Sequence, residues 1–217
     1  MSSTPPVRMY LDWPVSPSAA TQLPAAAFLT SALWSPGQTI TVGFIDRNEA
    51  PWKAAWVKKV VSEYLQPYIN LDLKFVSDAE ASNADIRITF AHLNQAYSRL
   101  GTQSTWFKGD SQQPESMNLG WLDEPWTGSF TWDGNTYQFP GCTGCSNNQN
   151  GRVIIHEFGH ALAMVHEHQS PGGGGINWDT DAVYRYFSGN PNYWSREQID
   201  FNVLDRYTAA STNFSDF

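Results

Sequence analysis

Cysteine is nearly missing from this chain, with Cys142 and Cys145 the only two in 217 residues. They stand in the glycine-rich stretch Pro140-Gly141-Cys142-Thr143-Gly144-Cys145-Ser146. One C-x-x-C pair supplies two ligands, too few for a separate structural metal site unless histidines join it. A local disulfide or reduced thiols is the simpler reading, with a metal or redox role as the alternative. Basic residues are also scarce. Thirteen Lys and Arg against twenty-one Asp and Glu give a formal charge of −8, which argues against a nucleic-acid partner, since such a surface needs clustered cations. Long apolar runs are absent. The best near the N-terminus, Ala25 to Leu29, is short, and Met1-Ser2-Ser3-Thr4-Pro5-Pro6 brings only Arg8 as an early charge. This is neither a signal peptide nor a membrane span, so localisation stays open between an intracellular protein, export by another route, and a sequence read without its leader. No internal repeat or charge run appears. What is abundant is aromatic: 14% of residues, ten of them tryptophan, which is unlike a disordered acidic segment. The length suits one domain with a substantial core.

The histidines are concentrated. Four of the five lie between His156 and His168, in His156-Glu157-Phe158-Gly159-His160-Ala161-Leu162-Ala163-Met164-Val165-His166-Glu167-His168. A helix advances about 100° per residue, so His156 and His160 fall on one face and can share one metal ion. Glu157 lies beside that face, where a carboxylate can hold and deprotonate a metal-bound water without being a ligand. Zinc suits the arrangement, because it brings the pKa of such a water to about 7 and polarises a carbonyl. A catalytic zinc needs a third protein ligand. On a straight helix His166 would face away from His160, so the chain must leave the helix between Leu162 and Val165. In H-E-x-x-H-x-x-G-x-x-H a glycine makes that turn. Here Ala163 takes its place, at a cost of about 1–2 kcal/mol if it adopts positive φ.

H-E-x-x-H also arises by chance on amphipathic helices. The third histidine at the expected offset, with apolar Val153, Ile154, Ile155, Phe158, Leu162 and Val165 around the motif, favours a true zinc site. The alternative is a carboxylate in place of His166, with Asp179, Asp181 and Glu197 as candidates. His168 reads as a neighbour of the ligand set or a surface residue, and His92 as a hydrogen-bonded loop histidine.

From His156 to Pro171, HEFGHALAMVHEHQSP resembles the zinc site of the astacin-like branch of the metzincin metallopeptidases, including Glu167 directly after the third histidine. Leu33-Trp34-Ser35-Pro36-Gly37, Ala84-Asp85-Ile86-Arg87-Ile88-Thr89-Phe90, Met117-Asn118-Leu119-Gly120-Trp121 and Ile176-Asn177-Trp178-Asp179 agree in order and spacing, so the resemblance covers about residues 33–217. It implies an α+β, metzincin-like zincin fold: a twisted mixed sheet with helix cover, an active-site helix and an irregular C-terminal subdomain. It also implies a monomeric zinc endopeptidase, secreted by family habit, with Glu157 catalytic and His156, His160 and His166 on the metal. Its substrate would be an extended polypeptide hydrolysed by a metal-bound water. The family carries a methionine turn under the metal, whereas no methionine follows Met164 here. The 217 residues are therefore expected to be a C-terminally shortened relative or a fragment. A zinc-binding but catalytically silent module is the alternative. No cysteine lies in the N-terminal stretch to plug the zinc; Asp12 could do so as a carboxylate, or simply sit in a surface turn.

Residues 1–32, rich in Pro, Ser, Thr and Ala, read as an extended arm or pro-segment remnant, and 33–217 as the catalytic domain. Alternating Ile40, Val42 and Phe44 predict a strand. Trp52, Trp56, Val60 and Tyr64, with Val57, Val61 and Leu65 beside them, predict an amphipathic helix opened by Pro51 and stopped by Pro67. Leu71, Leu73, Phe75 and Ile86, Ile88, Phe90 give two more strands, with the first crossover helix-covered. Met117 to Trp121 reads as a short strand, either the cleft rim that pairs with substrate or an ordinary edge. The zinc helix is placed at Asn150 to Leu162 with Asn148 or Asn150 as cap. Asp179 is expected to cap a helix through Val183 and Tyr186, and Trp194 to Phe201 to form another short one.

Overall fold

The computed structural model describes residues 27–46, 51–93, 95–120, 128–139, 148–169, 176–190, 192–206 and 212–214. They gather into two units, Ala32–Ala163 and a smaller one made of Met164–Phe217 with the N-terminal residues up to Ser31.

In the larger unit, apolar alternation builds the centre of a sheet. Strand β2 (Thr39–Phe44) buries Ile40 and Val42 completely and lies parallel to both β3 (Asp72–Phe75) and β4 (Ile86–Thr89). A parallel neighbour requires a crossover, and helix α1 (Pro51–Tyr64) supplies it between β2 and β3. The helix buries Trp52, Ala55, Val57, Val60 and Val61, while Tyr64, at the end of the expected stripe, is exposed. The five-stranded sheet runs β3-β2-β4-β6-β5, with β5 at Ala96–Ser98 and β6 at Met117–Leu119. This corrects the expectation for Met117 to Trp121. Strand β6 pairs parallel to β4 on one side and antiparallel to β5 on the other, so it is interior, and the edge is the three-residue β5, too short to show a period.

A hairpin of β7 (Ser129–Trp132) and β8 (Asn135–Gln138) turns at Asp133-Gly134, both at positive φ, as a two-residue hairpin turn requires. Phe130 and Phe139 meet Trp56 edge-on, and Phe139 meets Trp52. Helix α2 (Asn148–Ala161) packs against α1, β5 and β6 with Val153, Ile154, Phe158 and Ala161 buried.

In the smaller unit, β1 (Ala27–Leu29) pairs antiparallel with β9 (Thr212–Phe214), and Phe28 bridges to Met164. Asp179 caps α3 (Thr180–Phe187) as expected, accepting from the Ala182 amide. Ser195 and Gln198 form a capping box at α4 (Arg196–Ile199), which continues into a π-helix at Asp200–Leu204. Val183, Phe187, Trp194, Ile199 and Val203 make this unit's core. Among the described residues no helix is long and apolar enough to cross a membrane.

Candidate metal centre

Helix α2 ends where the metal motif needs it to. Its final carbonyl, on Ala161, would be an orphan at a buried helix end, but the Trp34 indole Nε1 donates to it at 2.7 Å. The last turn tightens as the Leu162 amide donates to Phe158 and Gly159, and the Ala163 amide to His160 at 2.7 Å. Ala163 then takes φ +74, the left-handed conformation that the motif reserves for glycine. The expected exit between Leu162 and Val165 is therefore present, with alanine in the strained place.

Gly101 makes room for it. A Cβ at position 101 would lie 2.8 Å from the Ala163 methyl carbon and 1.9 Å from the Ala32 carbonyl oxygen, and Gly101 is itself at φ +48. Neither Trp34 nor Gly101 was recognised from sequence as a support of the zinc helix, although Trp34 lies in a segment that carries the resemblance. The indole's partner is 127 residues away, and nothing local signals it.

His156 and His160 stand on one face of α2, as their spacing requires. Their Nε2 atoms are 3.0 Å apart and their rings meet edge to face with centroids at 4.6 Å. Two nitrogens bound tetrahedrally to one zinc would be separated by about 3.3 Å, given zinc–nitrogen bonds of about 2.0–2.1 Å. Past the turn comes His166, and one nitrogen from each of His156, His160 and His166 lies within 4.8 Å of the others. Three neutral imidazole donors converging this closely fit zinc in number and kind. Glu157 is wholly buried on α2 next to His156.

The other candidates fall elsewhere. Asp179 uses its carboxylate as the α3 cap, and Asp181 and Glu197 belong to the first turns of α3 and α4. Among the described residues only the three histidines form a group with converging metal donors. His168 stacks on His166, centroids 5.3 Å apart, and meets Trp178 edge-on. His92 is in a loop, half exposed, 3.3 Å from Glu115. Asp12, Cys142 and Cys145 lie outside the described residues.

A solved structure of myroilysin matches with 34% identity and a TM-score of 0.66, covering 88% of this chain and 79% of that one. The chain belongs to the myroilysin family of metalloproteases. A crystal structure of myroilysin also matches, at 32% identity and TM-score 0.50, over 88% of this chain and 72% of that one. No protein-family model and no curated protein matches the sequence. With the mixed sheet, the helices and the histidine triad at the end of α2, the expected metzincin fold is the one found.

Proposed function

We propose that this myroilysin relative is a zinc-dependent endopeptidase of the astacin-like branch that hydrolyses extended polypeptides. One observation carries the reading: three histidine nitrogens converge within 4.8 Å beside the buried carboxylate of Glu157. His156, His160 and His166 would hold the zinc, which when bound supplies an acidified water and a Lewis acid for the scissile carbonyl. Glu157 takes the proton from the attacking water and delivers it to the leaving amine, base first and acid second. Its position one residue after the first ligand, on a regular helix, would let the carboxylate act on a metal-bound water without serving as a ligand.

An extended substrate suits the sheet. Strand β5 is its antiparallel edge, and no described strand pairs with the outer side, so a polypeptide can add there through backbone hydrogen bonds. The enzyme acts as a monomer on polypeptide and takes neither nucleic acid nor membrane as partner.

Glu157→Gln tests the assignment. Zinc content should stay at the wild-type level, while cleavage of an unfolded protein falls about 100- to 10,000-fold, the range of a lost general base. Equal cleavage by the two proteins, or none by zinc-loaded wild type, defeats the enzyme reading; the second outcome favours a zinc-binding module without turnover.

A further inference from the structure

Gln169 is polar, only 3% exposed, and three residues past the third histidine. Its side-chain Nε2 donates to two backbone carbonyls, Phe201 at 2.5 Å and Asp205 at 3.1 Å. Phe201 is the second residue of the π-helix Asp200–Leu204, and Asp205 is the residue just past its last. The ladder of that helix closes with the Asp205 amide on the Asp200 carbonyl at 2.7 Å, and Asp205 then turns to an extended conformation with ψ 146. Phe201 is the next carbonyl in line, and the chain has already left the helix when its partner would be due. A primary amide has two N–H groups, and here each finds one carbonyl. The Gln169 amide nitrogen of the main chain donates in turn to the carbonyl of His166 at 3.0 Å. The route from the third histidine to the π-helix is thus two short steps, His166 carbonyl to Gln169 and Gln169 side chain to the helix end.

We infer that Gln169 is a positioning residue for the third metal ligand: by capping the end of the π-helix it fixes the one-turn helix Glu167–Gln169 and so the backbone of His166. The inference rests on the proposed role of His166 as a ligand. His166 is on an irregular segment, so its place is set by such tethers, whereas His156 and His160 inherit theirs from the α2 ladder. Leucine at 169 fills a similar volume but takes the donor away from two part-buried carbonyls, and the segment shifts to hydrate them.

The test is zinc affinity by chelator competition in wild type, Gln169→Leu, His166→Ala and the double variant, with cobalt substituted for zinc as a spectroscopic check. Gln169→Leu should weaken zinc about 10- to 100-fold, the usual cost of losing a group that orients a ligand, and alter the visible cobalt spectrum. In the His166→Ala background it should have almost no further effect, because the ligand it positions is gone. Gln169→Asn, which keeps the amide on a shorter stem, should fall between leucine and wild type. Wild-type affinity in Gln169→Leu overturns the inference, and so does an equal loss in both backgrounds, which would mark a general stabilising role. Unfolding of both Gln169 variants in the absence of metal overturns it likewise, since the whole unit would then need the residue. Unchanged affinity in His166→Ala alone would instead defeat the three-histidine reading beneath it.

Discussion

Arg87 and Gln169 do the same job in different parts of the molecule, and the contrast shows how this chain makes irregular segments definite. Arg87, on β4 and wholly buried, donates to five carbonyls: Pro114, Ala84, Asp85, Ser104 and Trp106. Three of the five belong to the long connection between β5 and β6. Gln169 reaches two carbonyls in the smaller unit. Each replaces a backbone ladder by one side chain that gathers orphan acceptors. The guanidinium gathers more and carries charge, so its bonds are individually stronger. Burial, with Arg99 nearby, pulls its pKa down to about 10, which still leaves it protonated at neutral pH. A charge whose hydrogen bonds all end on backbone carbonyls commits the scaffold heavily, whereas a neutral amide ties down one short turn.

The largest effect expected from breaking this contrast is therefore at Arg87. Arg87→Leu removes every donor to five carbonyls and should cost about 3 kcal/mol or more, enough to unfold or nearly unfold a marginal domain. For a protein of this size that is a fall of about 6–12 °C in melting temperature, readable by calorimetry on the zinc-free protein. A fall of 2 °C or less would show that water replaces the guanidinium easily and that the connection does not depend on it.

Asp85 offers a smaller effect and a pH signature. Its carboxylate is the acceptor counterpart of Arg87, taking the Lys108 ammonium at 2.8 Å and both the amide and hydroxyl of Thr41 at 2.8 and 2.6 Å. Burial raises its pKa, but the Lys108 and Thr41 bonds outweigh that and leave it below 3.8. A carboxyl whose folded pKa is depressed stabilises fully above the unfolded value and loses that contribution as the pH falls through the folded one. Asp85→Asn should thus cost about 1 kcal/mol at pH 7, and the gap to wild type should start to narrow only as the pH falls below about 4, the ordinary carboxyl value. Urea denaturation of both zinc-free proteins at the two pH values checks this; a gap unchanged in acid would remove the charge from the explanation.

How much of this was legible depended on whether the cause was local. The zinc motif, the α1 crossover, the three parallel strands β2, β3 and β4, and the Asp179 cap are local patterns, and each appears where residue spacing put it. The zinc helix begins at Asn148 and stops at Ala161, close to the expected bounds. The edge of the sheet was not legible, because β5 is three residues long and only pairing shows that β6 is flanked on both sides. Strand alternation sets Arg87 opposite Ile86 and Ile88, but nothing in it says that the opposite face is covered by a loop. The Trp34 cap and the Gln169 tether are likewise bonds between distant residues, invisible to any window along the chain.

The finest distinction concerns Ala163, where a local reading and a distant contact meet. Positive φ costs an alanine about 1–2 kcal/mol, and the observed φ of +74 places Ala163 in that conformation. Glycine would relieve the strain but gives back about 0.5–1 kcal/mol through the greater freedom of the unfolded chain. It also deletes a methyl that is fully buried and packed beside Gly101, which lowers the gain further. Ala163→Gly should therefore stabilise the zinc-free protein slightly, by at most about 1 kcal/mol, and leave zinc affinity within about threefold of wild type. If the variant instead loses more than about 1 kcal/mol in denaturant titration, the methyl contributes more as packing than it costs as strain. The turn would then be held by its contact with the Gly101 backbone.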